Sequence, residues 1–283
     1  MGRRALRGTV TRAVAGGEAT LVPDPDLAEG WMLLIEGTQQ SHVDLADPTR
    51  LVFEYMRRIG HVIDLLPPGP LQVVHLGGGA MALARYASAT RPRTRNLVIE
   101  HDAALVELVR AELPWPRDYQ IRVRTSDART ALESLADQSC DLLILDVFAN
   151  AQTPGNLTSV EAFVHARRVL RGAGTFVANI ADENPLTYAR RYVAGVRATF
   201  DRVVVAAEPA VLRGRRFGNL IVIAQSPWAQ PLDLAALTRR SAGDPWPARV
   251  LHGADLDAFA GDHQPYPDAT APGSPPPPPG VFG

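Results

Sequence analysis

Residues Leu71 to Ala80 have the sequence LQVVHLGGGA, and this stretch gives the clearest indication of the fold. A short apolar run, Leu71–Leu76, ends in three glycines and is followed by the helix-prone segment Ala80–Ala89. Such a run is typical of a strand that is covered on both faces, and glycines directly after it allow a ligand to approach the backbone closely. The stretch therefore predicts a strand, a glycine loop and a helix whose first amides face a ligand. Taken alone, three glycines equally fit a tight turn.

The same alternation of short apolar runs and helical segments continues along the chain. The further runs are Leu97–Ile99, Ile121–Val123, Leu142–Leu145, Phe176–Ile180, Val203–Val205 and Leu220–Ile223, and the helical segments between the early ones are Ala103–Leu113, Arg129–Leu135 and Val160–Leu170. Strands that alternate with helices predict an α/β fold with a doubly wound, mostly parallel, seven-stranded, Rossmann-like sheet. No helical pattern separates the last two runs, which predicts a terminal antiparallel hairpin.

Acidic residues follow the second, third and fourth of these runs. Glu100 comes about 20 residues after the glycines, where doubly wound folds place an acid that binds ribose hydroxyls. Asp127 follows the third run and either accepts a hydrogen bond from an adenine amino group or caps the next helix. Asp146 follows the fourth run and therefore lies in the crevice beside the first strand, where it could orient an amine or accept its proton. These positions predict a nucleoside site.

The chain divides by composition into four segments. Two apolar stretches around Pro23-Asp24-Pro25-Asp26 predict a hairpin, and apolar residues between Leu51 and Leu66 recur at helical spacing. We predict an N-terminal arm and β-rich segment with a linking helix (1–68), a nucleoside-binding Rossmann-like domain (69–226), a C-terminal extension (227–264) and a disordered Pro-rich tail (265–283). The first 18 residues, rich in Arg and Gly, are expected to be poorly ordered.

Composition excludes several classes of function. The net charge of -1 gives no reason to expect a nucleic acid or an anionic membrane as partner. The sequence contains no lysine, so Schiff-base and P-loop lysine chemistry are excluded. The single cysteine, Cys140, cannot form an intrachain disulfide or a cysteine-rich metal site, and we expect a buried thiol, no metal and a cytoplasmic location. No stretch approaches the roughly 18 apolar residues of a membrane span, and no apolar core follows the basic N-terminus as in a secretory signal.

Six segments together resemble the spermidine synthase (polyamine aminopropyltransferase) family, within the fold of the S-adenosylmethionine-dependent methyltransferases. They are Leu34 to Ser41 (LIEGTQQS), Val74 to Gly79, Val98 to Asp102, Ser126 to Ala128, Leu145 with Asp146, and Pro154 to Leu157. Their order and spacing are more specific than any one of them.

The resemblance implies roles for particular residues. Gln40, Glu100 and Asp127 would hold the nucleoside, and Asp146 would be the general base that deprotonates the attacking amine. The glycine loop, the adenine turn and the segment that covers the adenine would contribute Gly77, Gly78, Gly79, Ala128 and Leu157. The implied cofactor is S-adenosylmethionine or its decarboxylated form, the implied substrate is a small-molecule amine, and the implied assembly is a homodimer.

The sequence departs from the family in the other half of the site. Ala80 and Ala149 stand where the family has aspartates, and Phe53 with Glu54 stand where it has a tyrosine–glutamine pair. The tyrosine expected around Ala210 to Arg213 is missing. A diamine carries two positive charges, and burying an ammonium group without a partner costs several kcal/mol, so we expect such a site to hold putrescine poorly. Glu54, or the loop residues Asp44 and Asp47, could supply a replacement carboxylate.

Three functions remain open on this basis. The first is a spermidine synthase-like transfer of an aminopropyl group from decarboxylated S-adenosylmethionine to an amine. The second is methyl transfer from S-adenosylmethionine, which needs no aspartate to hold an aminopropyl group and therefore fits Ala80 and Ala149. The third is a non-catalytic nucleoside-binding or regulatory protein.

Overall fold

The computed structural model describes residues 8–149 and 152–278, which form two sheets and the helices that cover them. The strands are β1 (Val10–Val14), β2 (Gly17–Pro23), β3 (Gly30–Ile35), β4 (Thr38–Asp44), β5 (Gln72–Leu76), β6 (Arg95–Glu100), β7 (Gln120–Thr125), β8 (Cys140–Leu145), β9 (Leu170–Asp182), β10 (Arg202–Ala207), β11 (Gly218–Gln225) and β12 (Arg249–Leu251). The helices are α1 (Glu54–Leu65), α2 (Ala82–Thr90), α3 (Ala103–Glu112), α4 (Ala128–Ser134), α5 (Val160–Val169), α6 (Thr187–Arg197), α7 (Pro209–Leu212), α8 (Leu234–Ala242) and α9 (Ala254–Ala260).

The central sheet has the strand order β12-β10-β11-β9-β8-β5-β6-β7. Strands β9, β8, β5, β6 and β7 are parallel, whereas β11, β10 and β12 join the sheet in antiparallel pairs. The predicted doubly wound, mostly parallel sheet and its terminal hairpin, β10 with β11, are therefore confirmed. The sheet has eight strands rather than the predicted seven. The additional strand, β12, was not predicted because it pairs with β10 through only three residues and has no recognisable apolar run.

The strand order reverses direction between β5 and β8. From β5 the chain adds β6 and then β7 on one side, and β8 returns to the other side of β5. Ligands of doubly wound sheets bind outside the carboxyl ends of the strands at such a reversal. Gly77 follows β5 and Asp146 follows β8, so the predicted glycine loop and the predicted base both lie at this crevice.

Alternate residues of the central strands pack into two hydrophobic clusters, one on each face. On one face, Leu142 and Ile144 of β8 pack in a cluster with α1, α2, α3 and α8 and with the inner side of the N-terminal sheet. On the other face, Leu143 and Leu145 pack in a cluster with α4, α5, α6 and α9. Period-2 alternation in a sheet that is covered on both faces explains why these strands are apolar at nearly every position.

The N-terminal sheet is antiparallel, with the order β1-β2-β3-β4. It confirms the predicted hairpin, which is formed by β2 and β3. The expectation of poor order in the first 18 residues is wrong from Val10 onward, because β1 pairs with β2 along its whole length. Residues 1–7 lie outside the described part of the chain.

The predicted disordered tail, residues 265–283, is also corrected by the structure. Residues 265–278 are described, and both Tyr266 and Ser274 are buried in them. A Pro-rich segment cannot build its own core, but this one packs onto the loop after β8 and onto α5 and α6. Residues 279–283 lie outside the described part.

The sequence analysis did not predict the helices α6, α7 and α9 or the strand β12. The extension 227–264 supplies α8, β12 and α9 to the central domain, and α8 overlaps the short helix that residues 232–238 predict. The linking helix is present as α1. None of the helices in the described ranges is long and apolar enough to cross a membrane.

Candidate functional site

The glycine loop and the end of β8 touch through their backbones. The Asp146 amide donates a hydrogen bond to the Leu76 carbonyl at 2.9 Å. Gly77 has a φ of +92°, and a Cβ on it would lie 2.0 Å from the Asp146 carbonyl oxygen. Only glycine fits this position, because any side chain would collide with backbone and the conformation disfavours L-residues.

Glu100 lies beside the glycine loop. Its Oε2 accepts a hydrogen bond from the Gly78 amide at 2.9 Å, and its Oε1 accepts one from the Asp102 amide at 3.1 Å. The exposed His101 contributes its Nδ1 at 3.0 Å from the same Oε1. The buried carboxylate thus stands at the same edge as the glycines, as the sequence predicted, and its role toward ribose remains a prediction.

Gln40 lies at a β-bulge in β4. Leu33 pairs with Ser41 and Leu34 pairs with Gln39, so Gln40 is the extra residue between them. A bulge turns a side chain away from the regular alternation and is often found beside a functional site. The neighbouring Ser41 has a buried Oγ without a hydrogen-bond partner among the described residues. That oxygen lies 3.6 Å from where a Cβ on Gly79 would be, so β4 faces the glycine loop.

Asp127 caps α4. Its Oδ1 accepts a hydrogen bond from the Thr130 amide at 2.8 Å, so the capping role is confirmed, while the contact to an adenine amino group stays a prediction. The carboxylate is exposed, which leaves it accessible to a ligand. Ala128 and Leu157 are both buried in the same hydrophobic cluster. Arg129, directly after Ala128, donates to the Asn156 carbonyl at 2.8 Å, so the adenine turn and the covering segment are neighbours.

Asp146 is a carboxylate whose proton affinity is raised. Burial raises its pKa to about 6, and hydrogen bonds from Asn179 and Tyr55 lower it by less. Asn179 donates from Nδ2 to Oδ1 of Asp146 at 2.9 Å. A general base works best when its pKa lies near the working pH, so this carboxylate is suited to accept a proton near neutrality.

Tyr55 and Asn179 are site residues that the sequence analysis missed. Burial, followed by the nearby charge of Asp146, raises the pKa of Tyr55 well above its ordinary value, so the hydroxyl stays a neutral donor. The Asn179 Oδ1 is buried and has no hydrogen-bond partner within residues 8–149 and 152–278. Two features of the sequence could have indicated them. Asn179 is a lone polar residue in an apolar run, and Tyr55 lies two positions after Phe53, which stands where the family has a tyrosine.

Glu54 is one of the proposed replacement acids, and it has a polar partner on β11. Glu54 Oε1 accepts a hydrogen bond from Asn219 Nδ2 at 3.0 Å. The guanidinium of Arg58 is buried one helical turn further along α1, where burial lowers its pKa and the charges of Glu54 and Glu208 raise it by less. The charge of Arg58 therefore offsets part of the negative charge of Glu54.

The loop acids Asp44 and Asp47 have local structural partners. Asp44 Oδ1 accepts hydrogen bonds from the amides of Ala46 and Asp47, and its Oδ2 pairs with Arg50 at 3.0 Å. Asp47 accepts from the amide and hydroxyl of Thr49. Both therefore stabilise their own turn. Among the described residues, no contact joins either of them to Asp146, so they do not replace the missing aspartates beside it.

Two other titratable residues, His75 beside the site and Cys140 at the opposite end of β8, are neutral at neutral pH. His75 is buried, its Nε2 lies 2.9 Å from Asn96 Oδ1, and burial lowers its pKa to about 4, so the ring is neutral at neutral pH. Cys140 is buried as predicted, and burial raises the pKa of its thiol to about 12. Within the described ranges, no group of three or more His, Cys, Asp or Glu is arranged to hold a metal ion.

Comparison with solved structures relates this geometry to known proteins. A probable spermidine synthase from Corynebacterium glutamicum ATCC 13032 is 34% identical over 93% of this chain and 97% of that chain, with a TM-score of 0.83. A spermidine synthase in complex with the transition-state analogue AdoDATO is 14% identical (92% of this chain, 82% of that chain, TM-score 0.60). Human methyltransferase-like protein 13 in complex with SAH is 19% identical (67% and 89%, TM-score 0.54). No model of a protein family matches the sequence, and no curated protein matches it.

Proposed function

The chain belongs to the spermidine synthase family, and from this premise we propose that it transfers an aminopropyl group from decarboxylated S-adenosylmethionine to a small-molecule amine. The amine nitrogen forms a bond to the carbon next to the sulfonium, and the bond between that carbon and sulfur breaks. The electron pair of the broken bond stays on sulfur, so methylthioadenosine leaves. The proton lost by the amine passes to Asp146. The expected homodimer and cytoplasmic location remain predictions.

Asp146 carries this proposal. Its carboxylate follows β8 at the strand-order reversal, and its backbone is fixed against Gly77 and Leu76. A pKa of about 6 leaves it mostly ionised at neutral pH and still basic enough to take a proton. Asn179 holds Oδ1 of Asp146 by a hydrogen bond, and catalysis would come mainly from holding the amine and the carbon in line.

The residues present fit the nucleoside half of the co-substrate. The three glycines of the loop are partly exposed at the sheet edge, and the Gly78 amide donates to Glu100 beside them. Ser41 Oγ is buried and unpaired among the described residues, so it is available to a ligand at this edge. We assign the ribose to Glu100, the adenine to Asp127 with Ala128 and Leu157 around it, and a further contact to Gln40.

A second function, methyl transfer, is favoured by one specific observation. Ala80 is fully buried where the family has an aspartate for the aminopropyl group, and Ala149 replaces the other acid. Methyl transfer from S-adenosylmethionine requires neither carboxylate. A third function, nucleoside binding without catalysis, agrees with the same losses.

The deciding experiment is mass spectrometry of products from two parallel reactions. The purified chain is incubated with a mixture of diamines and monoamines, in one reaction with decarboxylated S-adenosylmethionine and in the other with S-adenosylmethionine. We expect methylthioadenosine and an aminopropylated amine from the first reaction. The variant Asp146→Asn should form the aminopropylated amine about 10²- to 10⁴-fold more slowly than the wild-type chain. Its affinity for the nucleoside should stay within about 3-fold of the wild-type value.

Each other outcome selects a rival function. S-adenosylhomocysteine and a methylated acceptor from the second reaction alone would establish methyl transfer. The absence of product in both, together with measurable nucleoside binding, would overturn catalysis and leave a binding role. Equal loss of activity and nucleoside affinity in Asp146→Asn would show that Asp146 is structural.

A further inference from the structure

The C-terminal segment, residues 264–274, crosses the loop that follows β8. We call residues 152–158 of that loop the covering loop, since they include the segment assigned above to the adenine. The Thr153 amide donates to Ser274 Oγ at 2.8 Å, and the Ser274 amide donates to the Thr153 carbonyl at 3.0 Å. Both residues are fully buried. Two reciprocal buried hydrogen bonds fix the register of the two segments, because breaking either would leave a polar group unpaired.

The two segments cross closely in the middle of the covering loop. A Cβ on Gly155 would lie 2.3 Å from the Ala271 carbonyl oxygen, so there is no room for a side chain between them. Thr158 Oγ1 donates to the Pro272 carbonyl at 3.1 Å. The contact therefore runs along the length of the covering loop and is not confined to one end.

Arg129 connects this crossing to the adenine turn. It stands in the first turn of α4, directly after Asp127 and Ala128. Its guanidinium donates to both carboxylate oxygens of Asp268, at 3.0 and 2.8 Å, and to the Asn156 carbonyl at 2.8 Å. Paired charge-assisted hydrogen bonds are among the stronger polar contacts in proteins and have a defined geometry. One side chain thus joins the adenine turn, the covering loop and the C-terminal segment.

The other end of the segment is fixed to helices α5 and α6. The Val160 amide donates to the Tyr266 carbonyl at 2.9 Å, and the Asp268 amide donates to Glu161 Oε2 at 2.9 Å. Arg191 lies over the Tyr266 ring at 3.8 Å and donates to the Gln264 carbonyl at 2.7 Å. The segment is therefore held by hydrogen bonds at both ends, which restricts its movement relative to the covering loop.

From these contacts we propose that residues 264–274 hold the covering loop at the nucleoside edge, with Arg129, Asp268 and Ser274 as positioning residues for nucleoside binding. The proposal rests on the nucleoside site assigned above. Asp268 is a shared acceptor of Arg129 and Ser159 Oγ. Without its carboxylate, Arg129 keeps its contacts to the Asn156 carbonyl and to Glu133 but loses its link to the C-terminal segment. The covering loop then spends part of its time in conformations that do not contact the nucleoside. The apparent nucleoside affinity falls in proportion to the fraction of time that the loop remains in the contacting conformation.

The test uses the full chain and two measurements. Binding of methylthioadenosine is measured by calorimetry, and amide hydrogen exchange of residues 152–158 is measured without ligand. We expect Asp268→Ala to weaken binding by about 5- to 30-fold and to speed exchange of the covering loop about 10-fold or more. Ser274→Ala should act in the same direction through the other contact, and Asp268→Glu should recover part of the affinity.

The matched control removes an ion pair that does not touch the covering loop. Arg197 Nη2 lies 2.6 Å from Asp257 Oδ1 on α9, and Asp257→Asn should leave both measurements unchanged. Thermal unfolding midpoints of Asp268→Ala and Asp257→Asn should agree within about 2–4 °C, because the Asp268 side chain is 41% exposed and solvent screens the charge of its pair, while the geometry of the pair still orients the loop. A change in affinity without a change in this midpoint is what separates positioning from a general loss of stability.

The outcomes separate this proposal from the proposed function. Wild-type exchange in the covering loop of both Asp268→Ala and Ser274→Ala would overturn the positioning role, and so would faster exchange with unchanged nucleoside affinity. A wild-type chain that binds no methylthioadenosine would instead contradict the nucleoside site of the proposed function. In that case hydrogen exchange still decides whether the segment holds the loop.

Discussion

At the scale of single residues, Asp146 is expected to destabilise the fold while it is ionised. Its pKa is raised by burial to about 6, above the ordinary value of 3.8. The native state therefore binds a proton at a higher pH than the unfolded chain, and the free energy of unfolding falls as pH rises through about 6. Asp146→Asn carries no charge, so we expect it to raise the free energy of unfolding by about 1–3 kcal/mol at about pH 8. Denaturant unfolding measures this gain.

The gain should shrink as pH falls from about 7 to about 4, because wild-type Asp146 becomes neutral in the native state over that range. Asp137, which pairs with Arg168 on the surface, provides the control. Asp137→Asn should change the free energy of unfolding by less than about 1 kcal/mol. A loss of stability in Asp146→Asn at about pH 8 would contradict the assigned cost of burying its charge.

The sequence predicted which acids reach the site better than it predicted what surrounds them. Glu100 and Asp146 lie at strand ends, and their positions follow from the sheet alone. Tyr55 and Asn179 contact Asp146 from α1 and β9, and those contacts depend on how helix and sheet pack. Packing of that kind has no local pattern in the sequence, so both residues were missed.

At the scale of elements, the turn after β5 allows a sharp test of the glycine loop. Gly77→Ala places a Cβ 2.0 Å from the Asp146 carbonyl oxygen in a conformation with a φ of +92°. Because steric overlap and backbone strain add, we expect the free energy of unfolding to fall by about 3 kcal/mol or more, as measured by denaturant unfolding.

Gly37→Ala is the matched control for this test, because Gly37 has a φ of +74° and no other atom lies within 4 Å of where its Cβ would be. Its loss should be about 1–2 kcal/mol, from backbone strain alone. Equal losses in the two variants would show that contact with Asp146 does not constrain the turn.

The elements that were predicted share a strong local pattern. Runs such as Leu142–Leu145 are apolar at every position, because both faces of the sheet are covered. Several of the elements that were missed lack such a pattern or depend on a partner. The strand β12 has three residues, β1 is mostly exposed, and the buried Ser274 depends on the distant Thr153.

At the scale of the whole molecule, Asp102 joins the N-terminal sheet to the central domain. Its Oδ1 accepts from the Leu105 amide at 3.0 Å and caps α3, while its Oδ2 accepts from the Ala15 amide at 2.7 Å, in the turn between β1 and β2. We expect Asp102→Ala to lower the free energy of unfolding by about 2–4 kcal/mol, because it removes the cap of α3 and leaves the Ala15 amide without its partner. Hydrogen exchange of residues 10–23 should rise in the same variant.

The control for Asp102 is a residue that only caps. Asp233 Oδ1 accepts from the Ala236 amide at 2.9 Å at the start of α8. Asp233→Ala should lose about 1 kcal/mol and leave exchange of residues 10–23 unchanged. Slow exchange of those residues in Asp102→Ala would show that the N-terminal sheet is held by other contacts.

The position of the C-terminal segment has a consequence for the order in which the chain assembles during synthesis. Residues 264–274 leave the ribosome after every strand of both sheets, yet they cross the covering loop that follows β8. The covering loop can therefore obtain its hydrogen bonds to this segment only after all the strands have been synthesised. The nucleoside edge is therefore the part of the described fold that is completed last.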